Sequence, residues 1–150
     1  METRNLGIIR ALANAYMLET GMDFGSYGHW TMKKRDPDRD AAGIEADECY
    51  RIGLDQTRDR WPDLAIEVVW TSGGLDKLEA YRRIGVREVW FWEDGEITVH
   101  VLGPNGYQPR DASMVVPGID LALVARFVDE PVPSKAIRAY TEALRATLKS

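Results

Sequence analysis

One carboxylate of the sequence lies inside an apolar run, where an ionised side chain needs a partner. Residues 63–70 are apolar apart from Asp63 and Glu67, which is typical of a strand buried on both faces. Because side chains alternate along a strand, one face would carry Asp63, Ala65, Glu67 and Val69. An unpaired ionised carboxylate in such a place destabilises the fold or becomes neutral. Glu67 therefore needs a metal, a network of donors or a structural ion pair with an Arg or Lys.

A second acidic group precedes this run. Residues 43–52 indicate a strand, one face of which would carry Glu45, Asp47 and Cys49. If this strand is the neighbour of the Glu67 strand, Asp47 and Glu67 can approach closely enough to bind one divalent cation. Mg²⁺ and Mn²⁺ prefer such oxygen ligands, and one or two carboxylates suffice when water and substrate phosphate complete the coordination. The two acids predict a candidate metal site.

A lysine follows in a position that could complete this site. Lys77 falls in the first turns of a predicted helix, from which its long side chain could reach back over the strand ends. Such a cation can orient an attacking water or stabilise charge that develops on a phosphoryl group. The alternative is an i,i+4 ion pair on the solvent-facing helix surface, and spacing alone leaves both open. Tyr81, on the same helix, is counted with its apolar stripe.

Hydrophobic periodicity and turn residues predict the elements that would position these groups. The polar segment 33–42 is interpreted as an exposed loop. The predicted elements are helices at 5–19, 75–84, 121–127 and 134–148, and strands at 22–32, 43–52, 63–70, 86–92, 96–102 and near Tyr107. This order predicts an α/β (α+β) fold with a mixed central β-sheet flanked by helices.

Length and composition fit one domain across residues 1–150. The chain is 45% hydrophobic, which is enough for a buried core. Its apolar runs fall far short of the roughly 20 residues that a membrane-spanning helix needs. Cys49 is the single cysteine of the sequence. It excludes an internal disulfide and favours a reducing compartment, so we expect a cytoplasmic protein that does not bind membranes.

The charge balance limits the class of partner. The chain has 19 basic and 24 acidic side chains and a net charge of −5, which argues against a protein that coats nucleic acid. A nuclease is not excluded, because its substrate meets local rather than net charge. Basic residues cluster at Lys33-Lys34 and at Arg82-Arg83, which could contact flanking phosphates or could form solvated surfaces.

Other common chemistries lack their motifs. His29 and His100 are far apart in the sequence, and neither is flanked by a Cys or a second His, which argues against zinc. The chain contains no glycine-rich phosphate loop and no serine nucleophile elbow. The carboxylates and Lys77 remain the best candidates for chemistry.

Four ordered blocks of the sequence resemble one known family. Residues 43–50, 62–68, 76–81 and 85–92 are together similar to the Uma-type family of putative restriction endonucleases, within the PD-(D/E)xK nuclease superfamily. The resemblance implies a restriction-endonuclease-like core. It also implies a Mg²⁺- or Mn²⁺-dependent endonuclease that hydrolyses DNA phosphodiester bonds.

The resemblance assigns site residues by their position in these blocks. Asp47 and Glu67 match the two metal-binding acids, and Lys77 matches the catalytic lysine that this family takes from the helix. The superfamily usually places its lysine two residues after the Glu, where this chain has Val69. A supporting role is assigned to Asp63 and Glu45.

Three interpretations of the site follow. The first is a metal-dependent endonuclease, which the intact set of Asp47, Glu67 and Lys77 favours. The second is a catalytically inactive nuclease-fold module that binds a protein or nucleic-acid partner. The third is purely structural and has the acids satisfied by Arg51 or Arg87.

The oligomeric state depends on one aromatic segment. Residues 89–92 contain three aromatic rings in an apolar strand. If one face of this strand were exposed, it would suit a homodimer interface. The alternative is ordinary core packing, which we favour for at least two of the three rings.

Overall fold

The described strands form one six-stranded sheet whose spatial order is the order of the strands in the sequence. The computed structural model describes residues 2–36, 39–57, 61–69 and 74–149, and side chains at 4–31, 45–57, 61–69 and 77–149. The helices are α1 (Glu2–Glu19), α2 (Gly74–Ile84), α3 (Leu121–Val128) and α4 (Pro133–Leu148). The strands are β1 (Phe24–Asp36), β2 (Arg39–Ile52), β3 (Leu64–Val68), β4 (Glu88–Glu93), β5 (Glu96–Gly103) and β6 (Gly106–Arg110).

The sheet is mixed, because one pair of neighbours is parallel. Strands β3 and β4 run parallel, whereas every other pair of neighbours is antiparallel. Parallel strands cannot be joined by a tight turn, so the chain crosses over between them through α2. The mixed sheet with its flanking helices confirms the predicted α/β (α+β) class and its restriction-endonuclease-like core.

Helices cover both faces of the sheet. One core, which includes Leu64, Ile66 and Val68, lies between the sheet and helices α1, α3 and α4. The opposite core, which includes Ala65 and Tyr81, lies under α2. Strand β3 is buried along its whole length, so its side chains enter the two cores alternately, as predicted. Among the described residues, no helix is long and apolar enough to cross a membrane.

Two turns depend on backbone conformations that glycine adopts readily. Helix α2 ends at Gly85, whose φ is +95°, and the N–H of Gly85 donates to the carbonyl of Tyr81 at 2.8 Å. The hairpin between β4 and β5 turns at Asp94 and Gly95, with φ of +52° and +78°. Positive φ at both central residues is the requirement of a type I′ hairpin turn. The first turn fixes where α2 ends, and the second fixes where β5 begins.

The prediction of a loop at 33–42 was wrong for 33–36 and 39–42, which are strand, and residues 37 and 38 lie outside the described residues. Strand β1 extends to Asp36 and β2 begins at Arg39, with Lys34 opposite Ala42 in the antiparallel register. Backbone pairing in an antiparallel ladder does not require apolar side chains, so a charged segment can extend a hairpin that begins in the core. The polar composition therefore did not mark the end of the strand.

The aromatic strand β4 is buried on both faces. Trp90, Phe91 and Trp92 are 0%, 4% and 7% exposed. Trp90 and Trp92 enter the core under α1, α3 and α4, and Phe91 enters the core under α2. The core-packing alternative is correct, and this strand offers no exposed aromatic face to a homodimer.

Glu88, at the start of β4, is a fully buried carboxylate. It accepts hydrogen bonds from the Trp90 indole at 2.6 Å, the Ser113 hydroxyl at 2.5 Å and the backbone N–H groups of Met114 and Val115 at 2.7 and 3.2 Å. Because these donors belong to β4 and to the segment after β6, the carboxylate joins two parts of the chain that are distant in sequence. Glu88 is a structural carboxylate.

Replacing Glu88 should lower stability more than replacing an exposed carboxylate of the same sheet. Glu88→Ala leaves several buried donors without an acceptor, so we expect the free energy of unfolding to fall by about 3 kcal/mol. Glu96→Ala, at the exposed start of β5, should change it by less than about 0.5 kcal/mol. Urea denaturation of the two variants measures both values, and equal losses would contradict the structural role of Glu88.

Candidate active site

Glu67 lies on the α2 side of β3 and is fully buried. Its Oε2 accepts a hydrogen bond from Nζ of Lys77 at 2.8 Å, and its Oε1 accepts one from the hydroxyl of Tyr81. Lys77 and Tyr81 are one helical turn apart on α2, so both side chains extend from the same face of the helix. The crossover helix therefore supplies both donors to the buried carboxylate.

The contact between Lys77 and Glu67 decides between two interpretations of the lysine. Its ammonium group forms an ion pair with Glu67, while 43% of its side chain remains exposed. A lysine on a purely solvent-facing surface would not reach a carboxylate in the middle of a buried strand. The Lys77 side chain extends from α2 over the strand to Glu67, as the first of the two interpretations predicted.

Tyr81 is a site residue that the sequence analysis missed. It was counted only as an apolar position of α2, and its ring is indeed fully buried in the core under this helix. A buried tyrosine usually finds a partner for its hydroxyl. The i,i+4 spacing from Lys77 was the signal in the sequence that could have identified it.

Asp47 lies beside Glu67, at a place where β2 departs from regular pairing. The two strands pair from Tyr50 opposite Leu64 to Glu48 opposite Ile66. At the next position, the Asp47 side chain accepts the backbone N–H of Val68 at 3.2 Å. The carboxylates of Asp47 and Glu67 are thereby close enough to interact directly. The predicted convergence of these two acids is present in the structure.

Electrostatics at the site are dominated by burial and by the contact between the two acids. Burial, followed by the interaction with Asp47, raises the pKa of Glu67 from 4.5 to about 7, although Lys77 and Tyr81 act in the opposite direction. Burial alone would lower the pKa of Lys77, but the nearby carboxylates of Glu67, Asp47 and Glu45 raise it. Lys77 is therefore an ammonium ion at neutral pH and Glu67 is poised to titrate there.

The two supporting acids lie away from this contact. Asp63 precedes β3, where its Oδ2 accepts the N–H of Ile52 at 2.7 Å and its Oδ1 lies 3.8 Å from Arg87. It joins the end of β2 to the start of β3. Glu45 is exposed and accepts a hydrogen bond from the Thr31 hydroxyl at 3.3 Å. Glu45 reaches the site only through its charge, which acts on Lys77.

Two of the predicted phosphate contacts, Arg82 and Arg83, lie on the surface of α2. Arg82 donates two hydrogen bonds to Glu79 on the surface of α2, at 2.6 and 2.8 Å. Arg83 is exposed on the same helix. The side chains of Lys33 and Lys34 lie outside the described residues, so their phosphate contacts remain predictions.

The structural interpretation of the acids fits Asp63 but not Glu67. Arg87 pairs with Asp63. The guanidinium of Arg51 lies over the rings of Tyr27 and Trp30, at 5.0 and 4.5 Å from their centroids. Glu67 takes its cation from Lys77 instead.

The donor set at Asp47 and Glu67 fits a hard divalent cation. Within the described residues, no group of three or more His, Cys, Asp and Glu is placed to hold a metal ion. Two adjoining carboxylates nevertheless match Mg²⁺ or Mn²⁺, which take one or two carboxylates together with water and phosphate oxygens. The repulsion that contributes to the raised pKa of Glu67 is the kind that a cation between the two acids would relieve.

Cys49 and the two histidines do not add ligands to this site. Cys49 is fully buried, and burial raises the pKa of its thiol to about 12, so it acts as a small core residue. His29 lies on the surface near Glu45, with its Nε2 3.5 Å from the carboxylate. His100 packs edge-on against Phe91.

The fold and the site together define a class of protein. A mixed six-stranded sheet with a parallel β3–α2–β4 unit and flanking helices is the arrangement of a restriction-endonuclease-like core. The family model of Uma2, described as "putative restriction endonuclease", matches residues 2–124. The chain belongs to this family. A comparison with curated proteins found no match.

The raised pKa of Glu67 predicts a pH dependence of stability. Between pH 4.5 and 7 Glu67 keeps its proton in the folded protein but releases it in the unfolded chain. The stabilisation that Glu67 contributes to the free energy of unfolding is therefore fully present below pH 4.5 and is lost as pH rises to about 7. Over this interval the wild type should lose about 3 kcal/mol relative to Glu67→Gln, which does not titrate. Urea denaturation of both proteins with a chelator present measures the difference, and a value that is constant with pH would contradict the raised pKa.

Proposed function

We propose that the protein is a metal-dependent endonuclease that hydrolyses DNA phosphodiester bonds. The observation that carries the proposal is a fully buried Glu67 in contact with the acidic Asp47 and with the ammonium group of Lys77. Such an arrangement lowers stability, and buried groups with perturbed pKa values cluster at functional sites. Membership of the Uma2 family supports the same class of activity.

Asp47 and Glu67 would hold Mg²⁺ or Mn²⁺. When bound, such a cation supplies Lewis-acid polarisation of a phosphoryl oxygen and activation of water. The protein fixes both ligands before metal arrives, because Val68 donates to Asp47 and Tyr81 donates to Glu67. This preorganisation reduces the reordering that metal binding requires.

Lys77 would act as a positive charge and hydrogen-bond donor. Because its pKa is raised, it keeps its proton at neutral pH and cannot serve as a general base. Its side chain is partly exposed, and its ammonium group would orient an attacking water and stabilise negative charge on the phosphoryl group.

DNA is proposed as the substrate because of the family. The exposed Arg83 and the lysines at 33 and 34 are proposed as sequence-independent contacts to flanking phosphates. A homodimer would bring two such sites to one duplex, and we retain it as a proposal without assigning its interface.

One observation favours a second candidate function, a nuclease-fold module that binds a partner without cutting. Both oxygens of Glu67 already have donors, Lys77 and Tyr81, so the carboxylate is satisfied without a metal ion. In that case the site would stabilise a binding surface for protein or nucleic acid. Metal binding and cleavage, measured together, separate the two functions.

Substitution of the site residues should separate metal binding from cleavage. Asp47→Asn and Glu67→Gln should abolish Mn²⁺ binding in calorimetry and reduce plasmid nicking by roughly 100-fold or more. Lys77→Met should reduce nicking by a similar factor but leave the affinity for Mn²⁺ within about threefold, because it removes a charge without removing a ligand.

Glu79→Gln is the matched control, since it removes an exposed carboxylate from the same helix. It should leave both Mn²⁺ binding and nicking at the wild-type level. Mn²⁺ binding by the wild type without nicking of any DNA would favour the binding module. Absence of Mn²⁺ binding by the wild type would overturn the metal site.

A further inference from the structure

A second buried carboxylate, Glu48, is the immediate neighbour of Asp47. It is 1% exposed and lies on the α1 side of the sheet. Its Oε1 accepts hydrogen bonds from the N–H of Gly28 at 2.7 Å, the hydroxyl of Ser26 at 3.2 Å and the N–H of Cys49 at 3.2 Å. One carboxylate oxygen therefore holds groups from both β1 and β2.

The other oxygen of Glu48 connects the hairpin to helix α1. Nη1 of Arg10 lies 3.5 Å from Oε2, and the Arg10 side chain is about half exposed. This contact is long and partly solvated, so it contributes less than the donors on Oε1. Glu48 is satisfied mainly by neutral groups of the β1–β2 hairpin.

These donors surround two facing irregularities in the β1–β2 ladder. In β1 the pairing passes from Ser26 to Gly28 while β2 advances by one residue, from Tyr50 to Cys49. The following step takes β1 from Gly28 to Trp30, while β2 advances by three residues to Ala46. Each strand thus contains a bulge, and the bulge of β2 consists of Asp47 and Glu48.

The bulge of β2 lies where the pairing of this strand with β3 ends. Cys49 and Ala46 both pack in the core under α2, although regular alternation would place residues three apart on opposite faces. The two intervening residues absorb the irregular step. Glu48 turns to the α1 side, and Asp47 extends to the backbone N–H of Val68 in the neighbouring strand. The pairing of β2 with β3 ends at Glu48 and Ile66, and beyond that point the Asp47 side chain accepts the Val68 N–H.

We propose that Glu48 is a positioning residue, which fixes the paired bulges and thereby holds the Asp47 carboxylate beside Glu67. The role in metal binding rests on the proposed function, but the placement of Asp47 does not. Gly28, with φ of +67°, gives β1 the left-handed conformation from which its N–H reaches Glu48. Glu48 thus also positions a neighbouring side chain, in addition to the stability that any buried carboxylate with donors provides.

Amide hydrogen exchange in the metal-free protein tests this placement. The readout is the exchange rate of the Val68 amide divided by that of the Tyr140 amide, which belongs to helix α4 and to the same core. Global destabilisation accelerates both amides equally and leaves the ratio unchanged. Glu48→Ala should raise the ratio on the order of tenfold, because Asp47 leaves the Val68 amide.

Two further variants grade the effect. Glu48→Gln keeps an acceptor for Gly28 and should hold the ratio within about threefold of wild type. Ser26→Ala removes one donor to Oε1 and should raise the ratio about threefold, which keeps the inference testable if Glu48→Ala does not fold. Glu88→Ala is the matched control, since it removes a carboxylate of equal burial far from Asp47 and should leave the ratio unchanged.

Calorimetry with Mn²⁺ provides the second readout. Glu48→Ala should weaken Mn²⁺ binding by roughly 10-fold to 100-fold, as expected when the support of a ligand is lost, and Glu88→Ala should not. An unchanged Val68 ratio in both Glu48→Ala and Ser26→Ala would overturn the positioning role. If the wild type did not bind Mn²⁺ but the Val68 ratio still changed in Glu48→Ala, the proposed function alone would be overturned.

Discussion

The burial of Glu67 beside a second acid is the constraint on which the site depends. Glu48 and Glu88 are also buried, but their donors are mainly hydroxyl, indole and backbone N–H groups. Glu67 instead faces the carboxylate of Asp47 and is held by a lysine and a tyrosine from one helix. Neutral donors stabilise a buried carboxylate, whereas two adjoining acids repel each other whenever both are ionised. That unfavourable contact distinguishes the site from the structural carboxylates.

The topology of the sheet explains how this contact is stabilised. A parallel neighbour for β3 requires a crossover, and the crossover places α2 directly over the face that carries Glu67. Lys77 and Tyr81 then reach the same carboxylate from consecutive turns. On the other side, the antiparallel pairing with β2 ends next to Glu67, which leaves the Val68 N–H to the side chain of Asp47. Each half of the site follows from a different strand pairing.

Much of the fold could be predicted because its signals are local. The apolar run of β3, the amphipathic stripe of α2 and the turn at Asp94 and Gly95 each depend on neighbouring residues. The β1–β2 hairpin was cut short in the prediction because strand pairing at a sheet edge tolerates charged side chains such as Lys34. The hydroxyl partner of Tyr81 and the bulge at Asp47 and Glu48 depend on contacts distant in sequence, for which one chain carries no periodic signal.

The origin of the lysine illustrates how the site and the core are coupled. Position 69, where the superfamily usually has its lysine, holds a valine that packs against the core under α2. Supplying the cation from α2 keeps β3 apolar on both sides of Glu67, and it leaves the Lys77 side chain partly exposed. The position of that group then depends on how Leu78, Tyr81 and Ile84 seat the helix on the sheet. Tyr81 both fills this core and donates to Glu67. A change in the packing of the core would therefore also move a hydrogen-bond donor of the site.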